Sequence, residues 1–90
     1  MKAAAVLTIR NEKGLHARAS AKFVETVERF DADVRVSRDG LDVTGDSIMG
    51  LLMLAAGQGS TIEVETEGDD ADAALAALTD LVDGLFGEGR

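Results

Sequence analysis

Apolar positions along the chain switch between a period of two and a period near three and a half. In "AVLTI", residues 5–9, Ala5, Leu7 and Ile9 alternate with Val6 and Thr8, which predicts a strand. Ser20, Phe23, Val24, Val27 and Phe30 then recur at helical spacing and predict an amphipathic helix over residues 17–30. "DVRVS" (33–37) and "LDVTG" (41–45) alternate again, and the "RDG" between them contains Asp-Gly, a strong hairpin signal. "DSIMGLLMLA" (46–55) opens on a capping residue and stays apolar, so a short helix is expected there, ended by Gly57. "TIEVETE" (61–67) alternates with Ile62 and Val64 inward. After the aspartates of "GDDADAALAALTDLVDGLF", Leu75, Leu78, Leu81 or Val82, and Leu85 mark a C-terminal helix. Residues 87–90 are expected to be a frayed tail.

The element order is therefore β-α-β-β-α-β-α. Strands that alternate cleanly have one buried and one wetted face, and the helices carry the matching apolar stripes. The expected fold is α+β: an open-faced β-sandwich in which a four-stranded antiparallel sheet is covered on one face by three helices. No linker, repeat or low-complexity block interrupts residues 1–90, so they form one domain.

Composition narrows this picture. Hydrophobic residues make up 46% of the 90, enough for a core, and with three Phe and no Tyr or Trp that core is aliphatic. A net charge of −8 argues against a nucleic-acid partner, which needs a basic face. The missing aromatics also exclude an RNA-binding sheet of similar order. With no cysteine and one histidine there is no metal-ligand set, and no cofactor is implied. The longest apolar run, "IMGLLMLAAG", has ten residues, too few to cross a bilayer. A cytoplasmic, monomeric protein is expected.

The one histidine, His16, stands at the mouth of the first helix, two residues before Arg18. Amides in a first helical turn lack intrahelical partners and the dipole is positive there, so such a place receives anions. Ala17 contributes its backbone to that turn, Gly14 permits a close approach or unusual backbone angle, and Arg18 adds a planar fork of donors. A neutral imidazole nitrogen is a nucleophile. The pattern fits a site that accepts phosphate on His16 and holds it. The bland alternative is a histidine that only caps a helix, beside a solvated arginine and a turn glycine.

"KGLHARASAKFV" resembles the active-site segment of the histidine-containing phosphocarrier (HPr) family, including its nitrogen-related members, whose usual pattern is Gly-Leu-His-x-Arg-Pro-Ala. "DSIMGLLMLAAGQGSTIEV" (46–64) resembles that family's regulatory-serine segment. The likeness spans nearly the whole chain, and the family fold is the sandwich expected above. The resemblance implies that His16 is phosphorylated, that Arg18 is its phosphate partner, and that Ser47 is a target of HPr kinase/phosphorylase. It implies Enzyme I as phosphoryl donor and Enzyme IIA-type proteins as acceptors. Two positions depart from the pattern. Ala19 replaces the usual proline, which only pre-sets φ in a first turn and is dispensable. Asp46 replaces a common lysine, puts a negative charge beside Ser47, and is an alternative N-cap.

The chain has no G-x-x-x-x-G-K-[ST] loop and no acids placed to hold Mg²⁺ beside one, so it is expected to carry phosphate between partners rather than act as an enzyme. "SIMGLLML" has more apolar residues than one buried stripe requires. Ile48 or Met49, with part of Leu51, Leu52 and Met53, are candidates for a docking face; the other reading is a wholly buried helix. Two rival functions remain: a regulatory relative working through serine phosphorylation, and a small α/β binding module in which His16 only caps. The first would not need His16 and Arg18 together.

Overall fold

The computed structural model describes residues Met1–Arg90. Strand β1 (Lys2–Thr8) leads to helix α1 (Ala17–Glu28), strands β2 (Asp33–Arg38) and β3 (Leu41–Thr44), helix α2 (Ile48–Met53), strand β4 (Thr61–Glu67) and helix α3 (Ala71–Asp83), followed by a 3₁₀ turn at Leu85–Gly87. The four strands form one sheet in the order β1-β4-β2-β3, every neighbouring pair antiparallel. The expected sandwich is thus present. The β2–β3 hairpin turns at Asp39–Gly40, whose φ values of 51° and 83° give the twist that matches the flanking strands.

Register explains why one face is dry. Ala5, Val64, Val36 and Val43 lie side by side across all four strands and join the core, directly or at its edge. One residue along, Ala4, Glu65, Arg35 and Thr44 form the next rung on the opposite, open face. Helix α3 packs on β1 and β4, α2 against β3, and α1 against both other helices. Phe23 and Phe86, both fully buried, are the largest core side chains, with Ile9, Leu51, Ile62 and Leu78 around them. No helix is long and apolar enough to cross a membrane.

Three local features differ from expectation. Helix α2 ends at Met53, and Ala55 rather than Gly57 takes the left-handed backbone, with φ 49°. Burial of Leu54 and Ala56 on either side pins that residue. Asp70 is the N-cap of α3, but its carboxylate accepts from the Asp31 amide at 2.7 Å instead of capping its own helix, so it ties the α1–β2 connection to α3. Residues 87–90 do not trail away from the body. Phe86 is fully buried, its carbonyl accepts from Lys22 Nζ at 2.6 Å, and Glu88 lies against the side chains of Asn11 and His16.

Candidate functional site

The site is built on the loop between β1 and α1. Asn11 is fully buried there, and its side-chain amide donates to the Gly14 carbonyl at 2.7 Å while the Gly14 amide donates back to the Asn11 carbonyl at 3.1 Å. Gly14 has φ +69°, and a Cβ on it would stand 2.7 Å from the Ala56 carbonyl oxygen and 2.8 Å from Gly57 Cα. Only glycine allows the two backbones to come this close. Next to it the Leu15 amide donates to the Ala56 carbonyl at 2.9 Å. The segment following α2 therefore braces the loop that presents His16.

His16 is the N-cap of α1, in extended conformation (φ −80°, ψ −177°), and its carbonyl accepts the Ser20 amide at 2.8 Å to start the helix. The ring folds back so that Nδ1 accepts from the Arg18 amide at 3.3 Å. Nε2 faces Glu88 Oε2. These partners fix the tautomer: an amide N–H needs a lone pair on Nδ1, so the ring proton sits on Nε2, where the carboxylate accepts it. The imidazole side chain is 28% exposed, so the ring is partly open to solvent.

Glu88 Oε1 accepts from the Asn11 side-chain amide at 3.0 Å. Both partners of that amide are oxygens, which sets the orientation of Asn11 and leaves its Oδ1 buried without a partner. Burial pushes the Glu88 carboxyl up, but the hydrogen bonds from Asn11 and His16 and the electrostatic pull of the His16 ring and the Lys13 ammonium outweigh it and hold it below its ordinary value.

Beside the ring lies a cleft lined by Glu12, Lys13, Arg18, Lys22, Gly87, Glu88 and Arg90. Four of the nine cationic side chains of an otherwise acidic protein meet there. A depression on the open sheet face, lined by Asp33, Asp46, Glu65 and Glu67 among others, has the opposite balance and would repel phosphate. The Arg18 guanidinium makes no ion pair, so its donors are available to an incoming anion. Nucleophilic nitrogen, the N-terminal turn of α1 and a guanidinium free of ion pairs together can receive a phosphoryl group on the ring and offset its charge.

Gly14, Ala17 and Arg18 are thus brought together around His16. Ser47 stands apart from the cleft as the N-cap of α2, its Oγ accepting from the Gly50 amide at 3.0 Å; the cap is Ser47 and not Asp46. Ile48, Met49, Leu52 and Met53 are exposed, Met49 by 70% and Met53 by 64%. Leu51 does not belong with them. It points from α2 into the core and is fully buried, so it cannot be part of a docking face. Asn11 and Glu88 escaped the sequence reading. Neither lies in a motif, and Glu88 is 72 positions from His16. No three His, Cys, Asp or Glu side chains are grouped to hold a metal.

Known proteins resemble this chain in sequence and in fold. The family described as "PTS HPr component phosphorylation site" matches residues 4–83. The phosphocarrier protein HPr of Neisseria meningitidis serogroup A is 53% identical over 84 residues, 93% of this chain and 94% of that one. The phosphocarrier protein NPr of Shewanella violacea is 44% identical over 91% of this chain and 90% of its own. A crystal structure of HPr-C-His from Thermoanaerobacter tengcongensis superposes with a TM-score of 0.92 at 40% identity, covering 96% of this chain and 97% of that one.

Proposed function

Because the chain belongs to the HPr family of phosphocarrier proteins, we propose that it carries its phosphoryl group on Nδ1 of His16. The protein is a phosphocarrier of the phosphotransferase system and not an enzyme: the group arrives from one partner and leaves to another. The observation that carries the assignment to Nδ1 is the division of labour on the ring. Nε2 is taken by Glu88, whereas Nδ1 keeps a lone pair and faces only a weak donor at the open end of α1.

In the forward step the Nδ1 lone pair attacks phosphorus, the Nδ1–P bond forms, and the bond to the donor breaks with its electron pair staying on the donor. Enzyme I is the donor and Enzyme IIA-type proteins are the acceptors in this reading. The phosphoryl oxygens then lie among the first-turn amides of α1, with the Arg18 guanidinium beside them. Transfer onward reverses the bond changes. Arg18 offsets phosphoryl charge in both directions while the docked partner excludes water.

The partner is taken to dock on Ile48, Met49, Leu52 and Met53. Four exposed apolar side chains on one short helix are unusual for a free surface, and flexible methionines adapt to several partners. Helix α2 packs beside α1, whose first turn carries His16 and Arg18. Ser47 at the start of that helix is the position where a kinase would add regulatory charge, and the chain works as a monomer.

The test is reconstitution with labelled phosphoenolpyruvate and Enzyme I, using wild type, Arg18→Ala and Arg18→Lys. Arg18→Ala should slow transfer between bound proteins more than it weakens binding. Lysine should restore part of the rate, since it keeps the charge but loses the fork. An Arg18→Ala variant altered in affinity alone would make Arg18 a docking contact.

A further inference from the structure

The segment after α3 is tied down more firmly than an appendage of Gly-Glu-Gly-Arg requires. Leu85 and Phe86 both have left-handed backbone, with φ 61° and 52°, although neither is glycine. Such residues persist only where their surroundings over-determine them. The surroundings here are the buried Phe86 ring, the Lys22 ammonium on the Phe86 carbonyl at 2.6 Å, the Gly87 amide on the Gly84 carbonyl at 3.0 Å, and the Glu88 amide on the Leu85 carbonyl at 2.9 Å. The product of this local strain is one placement: the Glu88 carboxylate on His16 Nε2, with its second oxygen held by the fully buried Asn11.

We propose that Glu88, aimed by Asn11 and anchored through Phe86, is a positioning residue for phosphoryl transfer, keeping the ring proton on Nε2 and the lone pair on Nδ1. This rests on the reading that His16 is the phosphoryl acceptor. A neutral imidazole in solution exchanges between two tautomers, and only one of them can attack through Nδ1. A carboxylate on the far nitrogen selects that tautomer and fixes the plane of the ring, as an orienting group does for a catalytic or metal-bound histidine. No proton has to move during the step. Once the Nδ1–P bond forms, the ring is cationic, Nε2 still holds its hydrogen, and Glu88 carries the compensating charge; when the bond breaks, the pair returns to Nδ1. Lys13, Arg18, Lys22 and Arg90 line the cleft beside the ring, with Glu12 the only other acid there. Glu88 thus balances the ring while the cations balance the phosphate.

The experiment measures two quantities on wild type, Glu88→Gln and Glu88→Ala. Ring ¹⁵N shifts of unphosphorylated His16 at mildly alkaline pH report the tautomer. Enzyme I-dependent phosphorylation kinetics report the consequence. Wild type should show the Nε2–H form, Glu88→Ala a mixture of tautomers with phosphorylation slowed roughly 10-fold, and Glu88→Gln an intermediate result, since its amide oxygen still accepts but carries no charge. A tautomer unchanged in Glu88→Ala overturns the proposal, as does a mixed tautomer at full rate. A slowed variant with an unchanged tautomer also overturns it and would place Glu88 in partner contact. Failure of the parent reading looks different: wild type would then take phosphate on a residue other than His16, whatever the ring shifts say.

Discussion

Gly14→Ala tests how the site is built, because two separable costs meet at one position. A left-handed backbone at a residue with a Cβ costs about 1–2 kcal/mol. At Gly14 the new Cβ would also press on backbone, 2.7 Å from the Ala56 carbonyl oxygen and 2.8 Å from Gly57 Cα, and neither atom is the end of a flexible side chain. Overpacking of that kind adds about 1–3 kcal/mol. Gly40 isolates the first cost, since it has φ +83° and nothing within 4 Å of an added Cβ. Equilibrium denaturation in urea should therefore show Gly40→Ala destabilised by about 1–2 kcal/mol and Gly14→Ala by roughly 2–5 kcal/mol in total. In thermal melts, a difference of about 2 kcal/mol between them corresponds to roughly 8–16 °C for a domain of this size. A second readout separates stability from function. Relief of the clash must move the loop carrying Leu15 and His16 away from Ala56. Gly14→Ala should then be phosphorylated more slowly even where it is fully folded, and Gly40→Ala at the wild-type rate. Equal destabilisation of the two variants would refute the close approach, and full-rate phosphorylation of folded Gly14→Ala would refute its role in placing the imidazole.

Other expectations concern the short helix and the Glu88 carboxylate. Leu51→Ala should cost about 2–5 kcal/mol in denaturation, since the side chain is fully buried; Met49→Ala should change stability by less than about 0.5 kcal/mol yet slow phosphorylation by Enzyme I. Ser47→Ala removes the cap on Gly50 and should cost about 1 kcal/mol. Ser47→Asp keeps an acceptor there but sets a charge beside Ile48 and Met49, so its Enzyme I-dependent phosphorylation should be slower than that of Ser47→Ala; equal rates would make Ser47 a cap only. Glu88 ionises below its ordinary value of 4.5 in the folded protein, so its stabilisation is complete above that pH and is lost as pH falls through the lowered value. Acid titrations followed by fluorescence-independent probes such as circular dichroism should show wild type and Glu88→Gln converging at the acid end and separating as pH rises from the lowered value to 4.5, with wild type more stable by a constant margin above it.

How much of this was legible in the chain depends on whether the interaction is local. Alternation in 33–37 and 61–67 was readable because β2 and β4 bury alternate residues, in 41–45 because β3 turns Val43 toward the core, and Asp39–Gly40 because a tight hairpin demands positive φ. His16, Arg18 and Gly14 were readable because the site begins on one loop and one helix turn, so its parts are neighbours in sequence. The same locality hid the rest. Nothing in "GEGR" has a period, and the contact of Glu88 with His16 spans 72 positions. The signal that was available is Phe86, a large aromatic just beyond the apolar stripe of α3, which had to be buried and would carry the following residues with it. Leu51 was placed outward because a six-residue helix is too short for its period to separate inner from outer positions; packing of α2 against α1 and β3 decides it. The helix stop fell at Ala55, which has no intrinsic preference for left-handed backbone, because Leu54 and Ala56 are held in the core on both sides.

The central claim is that phosphate resides on Nδ1 of the single imidazole. Its most direct test is ³¹P and ¹⁵N NMR of the chain with ring-labelled His16, phosphorylated by phosphoenolpyruvate and Enzyme I. The expected result is one acid-labile, base-stable phosphoryl group with phosphorus–nitrogen coupling to Nδ1, and none in His16→Ala, which should remain folded within about 1 kcal/mol of wild type. Coupling to Nε2, or phosphate appearing on His16→Ala, would contradict it.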